Sequence, residues 1–306
     1  MGSALYSGWK DNPDYAISIL DPSADGAYHS PEEIVNTNFN IIILAVKPQI
    51  MDEVCNSMKA ANINSSLYIS IAAGKPLKFL ENIFGNHIAI IRTMPNTPAM
   101  IGQGMTVGIA NGNTTKDYIA IAESLLKVSG EFEWIMDENL MDAVTAVSGS
   151  GPAYIFLLIE ELAKAGTAAG LTEDLAMKLA RQTVIGSAAL AADQSDIPAS
   201  TLRQNVTSPG GTTEAALKIL MAEDGLSDLM SRAVQAAVKR SRELARFIFS
   251  CARYGLLYQD RYLSLDGCVF LHNLAPPWDS HSADPSGPYI AQVSFYKQSS
   301  NGVSAF

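Results

Sequence analysis

NIIILAV, at residues 40–46, is the stretch of sequence that decides the fold. This run is dominated by aliphatic and β-branched side chains, which is typical of a parallel strand covered on both faces. Lys47 and Pro48 end the run sharply, because proline cannot donate a hydrogen bond to a sheet. A buried parallel strand requires neighbours of the same kind that are joined to it through helices.

The sequence on both sides of this strand alternates between short apolar runs and helical patterns. Further strands are predicted at residues 15–20, 67–73 and 87–94, and helices at residues 50–61, 77–83 and 117–128. This alternation predicts an α/β fold with a Rossmann-like, doubly wound and mostly parallel sheet. Ligands of such sheets bind outside the carboxyl ends of the strands, so we expect a site in the segments that follow them.

Helical periodicity continues almost without interruption from residue 137 to residue 247. We therefore predict an α/β domain at residues 1–136, an all-α domain at residues 137–248 and a tail at residues 249–306. The tail has no sustained period, yet it is rich in aromatic residues and lacks the low hydrophobicity of ordinary disorder. We predict no fold for this tail.

The first long helix of the all-α domain follows SGSGP, at residues 148–152, and is apolar nearly all the way round. Such a helix needs burial on every side. A small domain can hardly cover it alone, so the pattern indicates a subunit interface and a homodimer or higher homo-oligomer. The alternative is a central helix buried within one chain.

Composition and charge narrow the possible partners. The chain has 306 residues, of which 48% are hydrophobic, and a formal net charge of −10. This charge argues against nucleic acid or an anionic membrane surface as a partner, and no apolar run approaches the roughly 18 residues that span a bilayer. The three cysteines form neither a metal-binding spacing nor a disulfide framework. With no signal peptide pattern at the N-terminus, these features indicate a cytoplasmic protein without a metal site.

VTSPGGTT, at residues 206–213, predicts an anion-binding turn. Pro209 fixes one backbone dihedral angle, and Gly210 and Gly211 allow the chain to turn. The helix that follows begins with amides that lack internal partners, and the positive end of its dipole favours a carboxylate or phosphate. The hydroxyls of Ser208 and Thr213 lie beside those amides in the sequence. The alternative is an ordinary turn with a threonine cap.

Six motifs occur in an order that points to one protein family. They are MGSA at residues 1–4, AVKP at 45–48, IAAG at 71–74, RTMPNTP at 92–98, SGSGPAY at 148–154 and QNVTSPGGTT at 204–213. Together they resemble the pyrroline-5-carboxylate reductase family, over residues 1 to about 248. The resemblance implies a dinucleotide-binding first domain and reduction of the cyclic imine 1-pyrroline-5-carboxylate to L-proline, the last step of proline biosynthesis, with NADPH or NADH.

The resemblance also implies a set of substrate residues. The expected substrate-binding residues are Glu138, Ser208, Gly210, Gly211, Thr212 and Thr213. The amides of Gly211, Thr212 and Thr213 would hold the substrate carboxylate, with Glu138 near the ring. Thr213 is the expected catalytic residue, whose hydroxyl would polarise the imine directly or through water. The alternative for Thr213 is a helix-start residue with a satisfied hydroxyl.

The cofactor residues come from the same resemblance and from the strand ends. The expected cofactor-binding residues are Gly2, Ser3, Ala4, Asp21, Ser23, Ala45, Val46, Lys47, Pro48, Ile71, Ala72, Ala73 and Asn205. Asp21 follows a predicted strand, where an acid can accept hydrogen bonds from a ribose 2′-hydroxyl and repel a 2′-phosphate, which favours NADH. Ser23 could instead face a 2′-phosphate, so both nucleotides stay open.

The sequence departs from the family pattern at its front. The family's glycine-rich fingerprint follows an initial strand, and here only residues 1–4 match its end. The absent strand would lie centrally in the sheet and the absent glycines would approach the pyrophosphate, so we expect weak or no activity. Two alternatives are a catalytically impaired relative that acts only as an oligomerisation partner, and a β-hydroxyacid dehydrogenase-like oxidoreductase that would use Lys164.

Overall fold

The computed structural model describes residues 1–254, 268–274 and 291–292, with side chains described as far as residue 245. The chain divides into two compact units. The first contains Met1–Gly149 together with the chain from Lys239 onwards, and the second contains Ser150–Val238.

The first unit is built on one mixed sheet. Its strands are β1 (Ala16–Leu20), β2 (Asn38–Ala45), β3 (Asn64–Ser70), β4 (Ala89–Met94), β5 (Gly104–Ala110), β6 (Gly130–Trp134), β7 (Cys268–Leu274) and β8 (Ala291–Gln292). The order across the sheet is β1-β7-β2-β3-β4-β5-β6, with β8 paired to β7. Strands β2, β3 and β4 pair in parallel, as do β5 and β6, while β4 and β5 are antiparallel.

Strand β7 comes from the tail, for which the sequence predicted no fold. It lies between β1 and β2 and runs antiparallel to both, with Phe270 opposite Ile19 on one side and Ile43 on the other. The resemblance implied a further strand at a central place in the sheet; in the structure, the place between β1 and β2 is taken by a strand from the C-terminal region.

Helices cover both faces of this sheet. They are α1 (Gly2–Trp9), α2 (Met51–Ala60), α3 (Leu77–Phe84), α4 (Lys116–Lys127) and α5 (Met141–Val144), with 3-10 turns at Pro31–Ile34, Thr97–Ile101 and Glu138–Leu140 and a π-helical turn at Thr145–Gly149. Within β2, Ile42 and Leu44 enter the core under α2 and α3, whereas Ile41 and Ile43 enter the core under α1 and α4. All four are fully buried, which confirms the prediction of a strand covered on both faces.

The contacts between segments explain where the first unit ends. Met141 is 1% exposed and belongs to the core of the sheet. The Ser241 hydroxyl donates to Asp142 Oδ1 at 2.6 Å. Residues 137–149 and 239–248 therefore fold with the sheet, whereas the sequence placed its domain boundaries after residues 136 and 248.

The second unit is helical. It contains α6 (Gly151–Ala168), α7 (Glu173–Asp193), α8 (Ala199–Asn205) and α9 (Thr212–Leu220), and α10 (Leu226–Tyr254) begins within it. Helix α6 packs along α7, with Ala163, Ala176 and Ala180 buried. Large apolar side chains of both helices stay exposed: Ile155, Phe156, Leu157, Leu158, Leu162, Leu175, Leu179, Ile185 and Leu190. Within residues 1–254, α6 is therefore not a central helix buried by its own chain.

One helical stretch, Glu138–Ala168, is long and apolar enough to cross a membrane by length and composition, although the sequence analysis assigned no run of that length. Only 6% of its most apolar window is buried within this chain.

Candidate functional site

The carboxyl ends of the parallel strands carry most of the predicted cofactor residues. Asp21 follows β1, Ala45 ends β2 and is followed by residues 46–48, and residues 71–73 follow β3. Because the carboxyl ends of parallel strands meet at one edge of a sheet, these segments share an edge.

Asp21 and Ser23 form a single turn at the end of β1. Asp21 is 2% exposed, and its Oδ1 accepts hydrogen bonds from the Ser23 backbone nitrogen at 2.9 Å and the Ser23 hydroxyl at 3.0 Å. Ser23 itself is exposed. The two residues that the sequence offered as alternatives thus act together: the buried carboxylate shapes the turn, and the serine lies on its surface.

The segments after β2 and β3 are partly core. Ala45, Val46, Ile71 and Ala72 are all buried, whereas Lys47, Pro48 and Ala73 are half-buried. The amide of Ile71 donates to the Leu44 carbonyl at 3.1 Å, so the segment after β3 continues the pairing with β2.

Lys75 is a buried cation that the sequence analysis did not single out. It lies just beyond IAAG and is 0% exposed. Its Nζ donates to Asp52 Oδ2 at 2.7 Å and lies 4.0 Å from the centre of the Phe79 ring. A lysine directly after a buried strand and a glycine was the only sequence signal for it.

Glu138 connects three elements of the first unit. Its Oε1 accepts from Nη1 of Arg92 at 2.7 Å and from the backbone nitrogen of Leu77, the first residue of α3, at 2.8 Å. Arg92 lies in β4 and is 7% exposed. The carboxylate assigned to the substrate is thus paired with a buried guanidinium. Arg92 lies within the RTMPNTP motif, which in the sequence gives no sign of this pairing.

Two further motifs meet in the loop after β4. The Asn96 side chain donates to the Ser148 carbonyl at 3.3 Å and hydroxyl at 3.2 Å, and its Oδ1 accepts from the Met105 amide at 2.9 Å. A Cβ on Gly149 would collide with Cε of Met94, so the glycine permits this close approach. These contacts fix residues 95–98 (PNTP) against residues 148–151 (SGSG).

The predicted anion-binding turn lies in the second unit and has the expected backbone. Gly210 adopts φ +70, a left-handed conformation that favours glycine, and α9 begins at Thr212 with Gly211 as its N-cap. The Gly211 amide donates to the Ser208 carbonyl at 3.0 Å, and the Gly210 amide donates to Glu214 Oε2 at 2.6 Å.

Amides without an internal partner remain at the start of α9. Among the described residues, the backbone nitrogens of Thr212 and Thr213 have no hydrogen-bond partner. Thr212 is exposed and Thr213 is half-buried. Of the three amides that the resemblance assigned to a carboxylate, Gly211 is therefore already used by the turn.

The remaining predicted residues lie at helix ends. Gly2, Ser3 and Ala4 form the first turn of α1, and within the described chain the amides of Gly2 and Ser3 have no partner. Asn205 is exposed and ends α8. Lys164, on which the dehydrogenase alternative depended, is 67% exposed and pairs with Glu161 at 2.7 Å, as a surface lysine does.

Among the residues that the structure describes, no group of three or more histidine, cysteine, aspartate or glutamate side chains could hold a metal ion.

Two family models match the sequence. One, described as pyrroline-5-carboxylate reductase dimerisation, matches residues 138–244. The other, described as NADP oxidoreductase coenzyme F420-dependent, matches residues 3–74. The first begins at the residue after Asp137, close to the predicted start of the all-α domain.

Relatives that match most of this chain belong to the same family as the dimerisation model. The pyrroline-5-carboxylate reductase of Haemophilus influenzae is 42% identical over 241 residues, which are 76% of this chain and 89% of the relative. That of Synechocystis sp. is 46% identical over 215 residues, which are 70% of this chain and 78% of the relative.

Solved structures of similar proteins share the fold. A pyrroline-5-carboxylate reductase from Coxiella burnetii has a TM-score of 0.71 and 34% identity, covering 79% of this chain and 94% of that one. The Plasmodium falciparum pyrroline carboxylate reductase, solved with NADP bound, has a TM-score of 0.66 and 33% identity, covering 80% of this chain and 94% of that one.

Proposed function

Because the chain belongs to the pyrroline-5-carboxylate reductase family, we propose that it reduces 1-pyrroline-5-carboxylate to L-proline with NADPH or NADH as the reductant. The relatives and the family models support this reaction over the dehydrogenase and oligomerisation-only alternatives.

The observation that carries the proposal is the start of α9. Two unpartnered amides, those of Thr212 and Thr213, follow a turn that Gly210 and Gly211 make possible. Amides at a helix N-terminus bind carboxylates through charge-assisted hydrogen bonds, each contributing about 1.5–3 kcal/mol. This turn would hold the substrate carboxylate and fix the position of the ring.

Thr213 would then act on the imine. Its hydroxyl, directly or through one water, donates a hydrogen bond to the imine nitrogen and makes the adjacent carbon more electrophilic. Ser208 and Glu138 complete the proposed substrate set. The pairing of Glu138 with Arg92 suggests that it orders the segment beside the ring, and does not serve as a free base.

The residues of the first unit suit a nicotinamide dinucleotide by their chemistry. The α1 amides of Gly2 and Ser3 offer donors for a phosphate, the Asp21–Ser23 turn offers polar groups for a ribose, and Ala45 and Ala72 keep the strand ends narrow. The other proposed cofactor contacts are Ala4, Val46, Lys47, Pro48, Ile71, Ala73 and Asn205. When bound, the reduced nicotinamide supplies the hydride.

The exposed apolar side chains of α6 and α7 support a homodimer, or a larger homo-oligomer built from dimers, as the working form. Association would remove these side chains from water. The acidic chain, with its net charge of −10, suits a small-molecule substrate and a cytoplasmic location better than nucleic acid or an anionic membrane.

A direct assay tests the proposal. Purified protein should oxidise NADPH or NADH in the presence of pyrroline-5-carboxylate, and Thr213→Val should lower kcat by about a hundredfold, because it removes the donor but keeps the side-chain shape. Thr213→Ser, which keeps the hydroxyl, should retain most of the activity. Because the absent front strand and glycines predict weak activity or none, binding is measured beside turnover. Folded protein that oxidises no nucleotide with pyrroline-5-carboxylate and binds neither compound would overturn the assignment.

A further inference from the structure

Lys75 is a fully buried cation in the first unit, at 0% exposure. Lysine is almost never buried so completely unless it is paired, because an unpaired charge in an apolar core is costly. Here the Nζ contacts Asp52 Oδ2 at 2.7 Å and the face of the Phe79 ring at 4.0 Å. The ammonium group is thus stabilised by two partners, an anionic carboxylate and an aromatic ring.

The pair joins two segments that are distant in sequence. Lys75 follows residues 71–74, the segment after β3, whereas Asp52 lies in the first turn of α2, which follows residues 46–50 after β2. Both segments belong to the carboxyl edge of the sheet. The ion pair therefore fixes the spacing between two segments, residues 45–48 and 71–73, that are both proposed to contact the dinucleotide.

Only the lysine of this pair is buried, which distinguishes the pair from an ordinary surface salt bridge. The Lys75 side chain is 1% exposed, but that of Asp52 is 44% exposed. The next turn of α2 places Cys55 beside the pair, and burial raises the pKa of its thiol, which keeps it uncharged. Lys78, three residues later in the first turn of α3, makes a looser pair with Glu81 at 3.5 Å and is 63% exposed.

We propose that Lys75 is a positioning residue for dinucleotide binding, which acts by holding residues 71–74 against the start of α2 through Asp52. The proposal rests on the proposed reductase function. Lys75 does not touch the cofactor; it sets the distance between the segments that do.

The test compares Lys75→Met, which keeps the length of the side chain without its charge, with Lys78→Met as the matched control. For Lys75→Met we expect KM for NADPH and the Kd from nicotinamide fluorescence to rise about tenfold, because a small displacement of positioning segments has large effects. KM for pyrroline-5-carboxylate and kcat should change less than about threefold. Hydrogen exchange should accelerate in residues 46–50 and 71–76.

Two variants of Asp52 keep the proposal testable if Lys75→Met does not fold. Asp52→Asn, at a half-exposed position, should raise the NADPH Kd in the same direction, and Asp52→Glu should restore it towards wild type. A purely structural role would lower the unfolding midpoint without separating KM for the nucleotide from KM for the imine.

The outcomes are distinguishable. Wild-type protein that binds NADPH, together with folded Lys75→Met and Asp52→Asn variants of unchanged Kd, would overturn the positioning role and leave the reductase function standing. Wild-type protein that binds neither nucleotide and reduces no imine would overturn both.

Discussion

The carboxylate of Glu138 lies 2.7 Å from the guanidinium of Arg92, and the same oxygen caps the first amide of α3 at 2.8 Å. A residue that the family resemblance assigned to substrate thus also joins a strand, β4, to the start of a helix. Any change at Glu138 should therefore affect folding as well as catalysis.

The first prediction concerns the stability of this contact. Glu138→Ala should lower the free energy of unfolding by about 2 kcal/mol, because it leaves the buried Arg92 unpaired, although the 30% exposure of the Glu138 side chain moderates the loss. Glu138→Gln, which keeps an oxygen acceptor, should lose roughly half as much. Denaturant unfolding monitored by circular dichroism measures both.

Glu161→Gln is the control, since Glu161 pairs with Lys164 on the exposed face of α6 and should change stability by less than about 0.5 kcal/mol. Equal unfolding midpoints for Glu138→Ala and Glu161→Gln would contradict the structural role of Glu138.

Much of the fold could be predicted because its signals are local. The β2 run is apolar at every position from Ile41 to Val46, and the structure buries it on both faces. Strand β6 was missed because GEFEW is short, lies at the sheet edge and exposes its glutamates. The place of β7 could not be predicted, because its partners Ile19 and Ile43 lie more than two hundred residues earlier in the chain.

The candidate site likewise has parts that the sequence predicts and parts that it does not. The turn before α9 is encoded by neighbouring residues, so its backbone and the start of the helix could be predicted from sequence. The pairs Arg92 with Glu138 and Lys75 with Asp52 are 46 and 23 residues apart in sequence. Only the tertiary fold brings such residues together, and no periodicity records them.

The second prediction concerns the choice of nucleotide. Asp21→Asn should lower KM for NADPH relative to NADH by about fivefold, because it removes a negative charge near the proposed ribose position. Ser23→Ala removes one of the two hydrogen bonds to Asp21 but keeps the charge, so it should leave the ratio closer to wild type. Steady-state kinetics with both nucleotides at several salt concentrations measures the effect. An unchanged ratio in Asp21→Asn would place the ribose elsewhere.

The third prediction concerns the turn before α9. Gly210→Ala has room for its Cβ but must adopt φ +70, which costs an L-residue about 1–2 kcal/mol. We expect KM for pyrroline-5-carboxylate to rise about fivefold with little change in KM for the nucleotide. Gly210→Asn is the matched control, because asparagine tolerates the left-handed region, and it should stay within about twofold of wild type. If both variants behave alike, the left-handed turn does not shape the substrate site.

The fourth prediction concerns stability at high pH. Burial raises the pKa of the Cys55 thiol above its ordinary 9.0 and that of Tyr68 above its ordinary 10.0. Both groups are neutral when protonated, so their contribution to stability is fully present below those values and is lost as pH rises above them. The free energy of unfolding should hold steady from pH 7 to about 8.5 and then fall, by up to about 1.4 kcal/mol per pH unit for each group.

Tyr68→Phe isolates the tyrosine contribution, because phenylalanine can keep the stacking on Phe84, whose ring centre lies 3.8 Å away. This variant should fall less steeply above about pH 10 than wild type does. Identical pH profiles for the two proteins would show that the pKa of Tyr68 is the same in the folded and unfolded states.

The fifth prediction concerns the helices of the second unit. Phe156 is 59% exposed on α6, among apolar neighbours that are also exposed in the described part of the chain. If association buries this face, Phe156→Asp places an unpaired charge in the interface and should dissociate the oligomer, with a loss of several kcal/mol. Lys164→Gln, at a 67% exposed position of the same helix, should not change the assembly. Sedimentation velocity measures both; a wild-type chain that is monomeric in aqueous buffer, or that stays dispersed only in detergent, would refute the subunit interface.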